Sequence, residues 1–247
     1  MNNYYYNLLE KRLQGPYRIL VEGLQSHKER VILPLVATPE EVERLIDTIV
    51  LEHPNISCFQ FYDLNVLNGH VLSVNFTYLL TAEKQRAANE ETLAQAERIA
   101  AYARDAGSDP LSRIHAVQKY FVSRVTYHES EVRDPFLFYP AGALLYGKAV
   151  CLGISHAFKI VMDLLGIPAI TVRGEVEGES HAWNMVYYDG KWRFLDMTYE
   201  ICAFSQIGET YFDQFEALPT PTQTRYIPWD AYPLPKAYPP ERMPASI

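Results

Sequence analysis

The sequence feature that most constrains the fold is the dipeptide Asp189-Gly190, which separates the segments HAWNMVYY (181–188) and KWRFLDMT (191–198). Both segments are rich in aromatic and apolar residues, as strands are. Asp-Gly between two such segments is typical of a β-hairpin with a two-residue turn. Because that turn fixes which residues lie opposite each other, the register of both strands follows from the sequence.

This register brings a histidine and an aspartate together. His181 faces Thr198 and Trp183 faces Asp196, so His181 and Asp196 are diagonal neighbours, about 7 Å apart at the backbone. Four further apolar residues predict that the face they share is the buried one: Met185, Tyr187, Trp192 and Phe194.

A buried histidine and a buried carboxylate need each other as partners. We therefore predict that Asp196 fixes the orientation of the His181 ring and leaves its other nitrogen free for a second group. An inert buried pair is the alternative interpretation. A register slip of one residue would place Asp196 on the opposite face.

A cysteine is expected at the start of a buried helix. Cys151 precedes an apolar segment that runs to Leu165 and is followed by Gly166, and its apolar residues cover every side of a helix. Free backbone N–H groups at such a start stabilise a thiolate and are able to bind an oxyanion, and Gly153 permits close approach of backbone or substrate. We predict that Cys151 is a nucleophile, His181 its base and Asp196 the orienting acid. A lone cysteine as a small buried apolar residue is the alternative.

Composition excludes several classes of function. The 247 residues carry a net charge of −8 and no dense Lys/Arg run, so nucleic acid is not an expected partner. The three cysteines do not suggest a disulfide framework. The N-terminus lacks a signal-peptide pattern, and no run approaches the roughly 18 apolar residues of a membrane span. We expect a cytoplasmic protein that does not enter a membrane.

Two sequence stretches, GKAVCLGISHAF and LLGIPAITVRGEVEGESHAWNMVYYDGKWRFLDMTY, resemble the core of the transglutaminase-like superfamily, especially its bacterial members. The resemblance covers roughly residues 110–205. It implies an α+β, papain-like fold, in which a central helix carrying Cys151 packs on an antiparallel sheet carrying His181 and Asp196. Ile154-Ser155 stands where Tyr-Ser commonly follows the Cys-x-Gly motif, and the second oxyanion donor is not placed by the sequence.

The resemblance also implies a chemistry and a class of substrate. The expected reaction is acyl transfer through a thioester, on a protein or peptide that bears a carboxamide group. Water as acceptor gives deamidation or peptide hydrolysis, and an amine gives transamidation. Trp183 is expected to shield the imidazole or to line the acyl pocket as a substrate-binding residue. No cofactor and no metal are expected.

Two other functions stay open. A non-catalytic protein-interaction module retaining the fold is the first, with the C-terminal tail as a docking element. A Cys/His/Asp metal site is the second, although no pair of ligands is as close in sequence as structural zinc sites favour.

Three regions are predicted along the chain. Residues 1–85 form an N-terminal α/β extension of helices and antiparallel strands, with a capping box at Thr38 and a hairpin turn at Asn68-Gly69. Residues 86–209 form the catalytic core, in which the segment from His128 to Lys148 is mostly loop. Residues 210–247 form a Pro/Tyr-rich, extended tail.

Overall fold

A computed structural model of the chain describes residues 3–56, 58–128, 134–176, 178–208 and 226–228. The chain divides into two compact units, residues 3–89 and the described residues from Glu90 onward. The predicted domain boundaries stay a prediction. Most of the predicted tail, 210–247, lies outside the described residues. None of the described helices is long and apolar enough to span a membrane.

The first unit contains helices and a three-stranded antiparallel sheet in the order β1-β3-β2. Thr38 makes the predicted capping box with Glu41, and the predicted Asn68-Gly69 turn joins β2 to β3 with positive φ at both residues. Its elements are α1 (Tyr4–Leu8), α2 (Lys11–Gln25), β1 (Arg30–Ile32), α3 (Pro39–Glu52), β2 (Phe59–Leu67) and β3 (His70–Tyr78).

The second unit has a buried helix, α7, against a four-stranded antiparallel sheet in the order β8-β7-β6-β9. This arrangement confirms the predicted α+β class with a central helix on an antiparallel sheet. The elements from here on are α4 (Ala82–Ala106, which begins in the first unit), α5 (Pro110–Arg124), β4 (Thr126–Tyr127), α6 (Pro140–Leu145), β5 (Lys148–Ala149), α7 (Cys151–Leu164), β6 (Ala169–Val176), β7 (Glu179–Tyr188), β8 (Lys191–Leu195), α8 (Met197–Ile207) and β9 (Tyr226–Pro228).

The segment predicted as mostly loop contains regular structure. A 3₁₀ turn spans Pro135–Phe138, and α6 and β5 follow it. The turn and α6 each begin with a proline. The fixed φ of proline suits the first position of a helix, and a backbone N–H at that position would make no hydrogen bond within the helix, so its absence is harmless. The loop prediction was therefore wrong for residues 135–145.

The predicted hairpin register is confirmed over five residue pairs, from Tyr188–Lys191 back to Asn184–Leu195. Its continuation to Thr198 is wrong, because β8 ends at Leu195 and Asp196 is the N-cap of α8. The Asp196 carboxylate accepts the backbone N–H of Tyr199 at 3.1 Å. An aspartate in that position satisfies a backbone donor that a helix start leaves free, which favours a helix over a longer strand.

The middle of strand β7 is buried on both faces, whereas the sequence predicted burial only for the face that carries His181. All residues from 182 to 186 are buried, and Tyr187, on the predicted buried face, is exposed. The side chains of Val186 and Tyr188, on the other face, share a core with residues of α7. Helix α7 is buried on all sides from Gly153 to Met162, as predicted.

Replacing Gly153 by alanine tests this close packing. A Cβ at position 153 would overlap the carbonyl oxygen of Leu137 and lie 3.1 Å from that of Tyr139. We expect Gly153→Ala to lower the free energy of unfolding by about 1–3 kcal/mol, as overpacking does. Urea unfolding followed by circular dichroism measures this change.

Gly15→Ala is the matched control. Gly15 lies within α2, and a Cβ there meets nothing within 4 Å. Alanine is the better helix former, so this change should be neutral or stabilising by up to about 1 kcal/mol. Equal effects of the two substitutions would contradict the packing described at Gly153.

Candidate active site

Cys151 is the first residue of α7, as predicted, and its side chain is partly exposed. The backbone N–H groups of a first helical turn have no partner within the helix and point toward the helix start, where they attract negative charge. The 3₁₀ turn is hydrogen-bonded to the start of α7, because the Val150 N–H donates to the carbonyl oxygen of Leu137 at 3.1 Å. The thiol therefore lies at a helix N-terminus that a neighbouring segment holds in place.

His181 and Asp196 are in direct contact. His181 Nε2 lies 2.7 Å from Asp196 Oδ2, with the histidine side chain 17% exposed and the aspartate 3%. The second carboxylate oxygen, Oδ1, caps α8. The predicted pairing of the two side chains is therefore confirmed, although Asp196 reaches it from a helix cap.

Cys151 lies close enough to His181 for its side chain to favour the charged form of the imidazole. Because Nε2 contacts Asp196, Nδ1 is the ring nitrogen left for the sulfur. The structure thus brings together all three residues predicted from the sequence. Their roles in catalysis stay a prediction at this point.

The surroundings of His181 favour its charged form. Burial lowers the pKa of the imidazole, but the charge and hydrogen bond of Asp196, together with those of Cys151, raise it by more and leave it at about 10. An imidazolium at neutral pH stabilises an anionic sulfur beside it. An imidazolium is also able to donate a proton to a leaving group.

Trp183 covers one side of the histidine. Its indole is fully buried and lies nearly parallel to the imidazole, with ring centroids 6.2 Å apart and planes at 23°. Of the two predicted roles, shielding the imidazole fits a ring without exposed surface. Assignment of Trp183 to substrate binding stays a prediction.

Two polar residues beside the site were not singled out from the sequence. Ser155 Oγ donates to the carbonyl oxygen of Ala182, and Asn184 Nδ2 donates to the carbonyl oxygen of Ser155, both at 3.1 Å. One signal was available for Ser155, which follows Cys151 by four positions and so lies on the same side of the helix. Among the described residues, no group of three His, Cys, Asp or Glu side chains is arranged to hold a metal ion.

Comparison with known proteins agrees with this architecture. Residues 97–197 match the transglutaminase-like superfamily. Kyphoscoliosis peptidase from Mus musculus is 28% identical over 109 residues, which is 38% of this chain, and that from Homo sapiens is 27% identical over 103 residues, which is 36%. The match spans only 16% of the length of either peptidase.

A solved structure described as that of a TGase is also similar. It shares 20% sequence identity, with a TM-score of 0.41 over 68% of this chain and 50% of the other. The family match confirms the resemblance predicted from the Cys-x-Gly and His-Ala-Trp-Asn motifs.

Replacing Asp196 by asparagine should make protein stability depend differently on pH. The pKa of His181 in the folded state is raised above 6.5, so its stabilising contribution is complete below about pH 6.5 and is lost as pH rises through about 10. Asparagine keeps the helix cap but removes the charge. The loss of unfolding free energy in Asp196→Asn should therefore be largest below about pH 6.5 and shrink toward pH 10.

Asp196→Ala separates the two functions of this carboxylate. It should show the same pH-dependent loss plus a nearly constant loss of about 1 kcal/mol from the missing cap. Urea unfolding from pH 6 to 10, followed by tryptophan fluorescence, measures both. A loss in Asp196→Asn that is constant or grows with pH would contradict the ion pair.

Proposed function

Because residues 97–197 match the transglutaminase-like superfamily, we propose that this chain is a cysteine enzyme that forms a thioester at Cys151 with carboxamide groups of proteins or peptides. The observation that carries the proposal is the grouping of three side chains: Asp196 is hydrogen-bonded to His181, and Cys151, at a helix N-terminus, lies close to the same imidazole. These are the parts that a thiol nucleophile needs: an anionic sulfur, a proton donor and an orienting acid.

In the first half-reaction the thiolate of Cys151 attacks the carboxamide carbon. A C–S bond forms, and the carbonyl oxygen gains negative charge, which the backbone N–H of Cys151 stabilises. The C–N bond then breaks, and ammonia or an amine leaves with a proton from the His181 imidazolium. The products are a thioester and a neutral histidine.

The second half-reaction reverses the roles. His181, now neutral, takes a proton from water or from a primary amine, and the oxygen or nitrogen attacks the thioester carbon. The C–S bond breaks, and the sulfur leaves as a thiolate beside the regenerated imidazolium. Asp196 holds the ring through both steps and stays ionised.

The acceptor decides the product. With water as acceptor, a side-chain carboxamide becomes a carboxylate or a peptide bond is cleaved. With an amine as acceptor, a new amide forms. The relatives named above are called peptidases, which favours hydrolysis as one outcome for this chain. Because this chain matches only 16% of their length, peptidase activity is part of the proposal.

The pH dependence of cysteine alkylation tests the proposed nucleophile. Cys151 should react with iodoacetamide already at about pH 6, where an ordinary thiol of pKa about 8.5 is almost fully protonated. His181→Ala should slow that reaction about tenfold or more, because the cation that stabilises the thiolate is lost. Mass spectrometry of the labelled peptides gives the rate at each cysteine.

Cys58 is an internal control in the same sample. Burial raises the pKa of its thiol to about 12, so it should remain unlabelled at pH 6 in the folded protein. If wild-type Cys151 reacted only near pH 8.5 and His181→Ala did not change its rate, the proposed enzyme would be ruled out. A non-catalytic interaction module would then be favoured.

Turnover is tested with a glutamine-containing peptide. We expect wild type to release ammonia, and Cys151→Ala to release it at least about 10³-fold more slowly, because a nucleophile has no substitute in this mechanism. Adding a primary amine separates the two outcomes: incorporation of the amine indicates transamidation, and its absence with continued ammonia release indicates hydrolysis. Equal ammonia release by the two proteins would contradict the role of Cys151.

A further inference from the structure

We propose that Ser155 and Asn184 are positioning residues, which hold the helix that carries Cys151 at a fixed place on the strand that carries His181. The inference rests on the proposed function, since it concerns the contact between thiol and imidazole. Neither residue touches that contact directly; both act through the backbone on either side of it.

The hydrogen bonds between the two elements run in both directions. Ser155 Oγ, on α7, donates to the carbonyl oxygen of Ala182, on β7. Asn184 Nδ2, on β7, donates back to the carbonyl oxygen of Ser155. Ser155 lies about one helical turn after Cys151, and Ala182 is the neighbour of His181. This double connection therefore lies next to the reacting pair on both elements.

The amide of Asn184 also anchors the next strand. A second donor bond from Nδ2 reaches the carbonyl oxygen of Ile170 on β6 at 3.2 Å. An amide nitrogen carries two hydrogens, and here one goes to the helix and one to the sheet. These hydrogen bonds thus fix the position of α7 relative to two strands, β7 and β6.

Burial protects these hydrogen bonds from competition by water. Ser155 is 1% exposed and Asn184 is fully buried, so water does not compete for their donors. The Asn184 Oδ1 atom has no hydrogen-bond partner among the described residues. A buried acceptor without a partner is unfavourable, and an apolar side chain of the same shape would avoid it. The structure therefore uses Asn184 for its two donors, at a cost that core packing does not explain.

Apolar packing does not fix this geometry by itself. Helix α7 shares an apolar core with the sheet, and apolar contacts are non-directional, so they allow small shifts of helix against strand. Proton transfer between thiol and imidazole does not tolerate such shifts, because a misplacement of about 1 Å of reacting groups costs on the order of 100-fold in rate. Directional bonds one turn away from the sulfur supply the missing constraint.

The test compares Ser155→Ala and Asn184→Leu with a control on the same helix. Lys159→Met is the control: Lys159 is 1% exposed, one turn beyond Ser155, and pairs within α7 with Asp163 at 2.7 Å. It should lose stability without loosening α7 from β7. For each protein, thermal unfolding is measured by circular dichroism and the rate of Cys151 alkylation by iodoacetamide from pH 5 to 9.5.

Ser155→Ala and Asn184→Leu should remain folded at 25 °C and show a changed pH profile. Alkylation of Cys151 at about pH 6 should slow about tenfold or more, while the rate near pH 9.5, where an ordinary thiol is ionised, stays within about threefold. In turnover of the glutamine peptide, kcat should fall with KM unchanged. Lys159→Met should keep the wild-type profile.

Each outcome decides one question. If wild-type Cys151 reacts as an ordinary thiol, the proposed function fails before the variants are considered. If wild-type Cys151 reacts at pH 6 and folded Ser155→Ala reacts equally fast, positioning by Ser155 and Asn184 is wrong. Ser155→Ala loses only one hydroxyl, so it decides the question by itself should Asn184→Leu not fold. If alkylation of Cys151 at about pH 6 slowed equally in Lys159→Met and in Ser155→Ala, the inference would also be overturned, because a general loss of stability would then explain both results.

Discussion

The contact between His181 Nε2 and Asp196 Oδ2, 2.7 Å long, is the interaction on which the rest of the site depends. A carboxylate with 3% of its side chain exposed is stable in its charged form only with close partners. The imidazole and the first turn of α8 are among the partners of Asp196. One side chain therefore ends β8, starts α8 and orients the histidine, which ties the chemistry of the site to the boundary between two elements.

The second constraint is the burial of α7 from Gly153 to Met162. A helix enclosed on all sides cannot make large movements without disturbing its neighbours, so burial sets the approximate direction of its N-terminus. Gly153 allows the 3₁₀ turn to approach this end, and Ser155 bonds it to β7. The sulfur of Cys151 thus lies at the partly exposed N-terminus of α7, where backbone donors and the imidazolium both favour negative charge.

Much of the candidate site could be predicted from local sequence patterns. Asp189-Gly190 specifies a two-residue turn, and a two-residue turn specifies the register, so the pairing of His181 with Asp196 followed from counting. The start of α8 did not follow, because Asp-Met-Thr fits both a strand end and a helix cap. The roles of Ser155 and Asn184 were not predicted because their hydrogen-bond partners are 27 and 29 positions away, on elements whose mutual placement no local pattern encodes. Helix α6, in the Pro- and Gly-rich segment before Cys151, was not predicted, because the sequence does not distinguish a proline that begins a helix from one that interrupts it.

The protonation state of His181 tests the central claim most directly, because both the ion pair with Asp196 and the activation of Cys151 require an imidazolium. The ¹⁵N chemical shifts of the His181 ring, assigned by comparison with His181→Gln, report whether both nitrogens carry a proton. The structure predicts that both remain protonated at pH 8.5 and that the ring titrates near a pKa of about 10. Titration near pH 6.5, as for an ordinary histidine, would contradict the account.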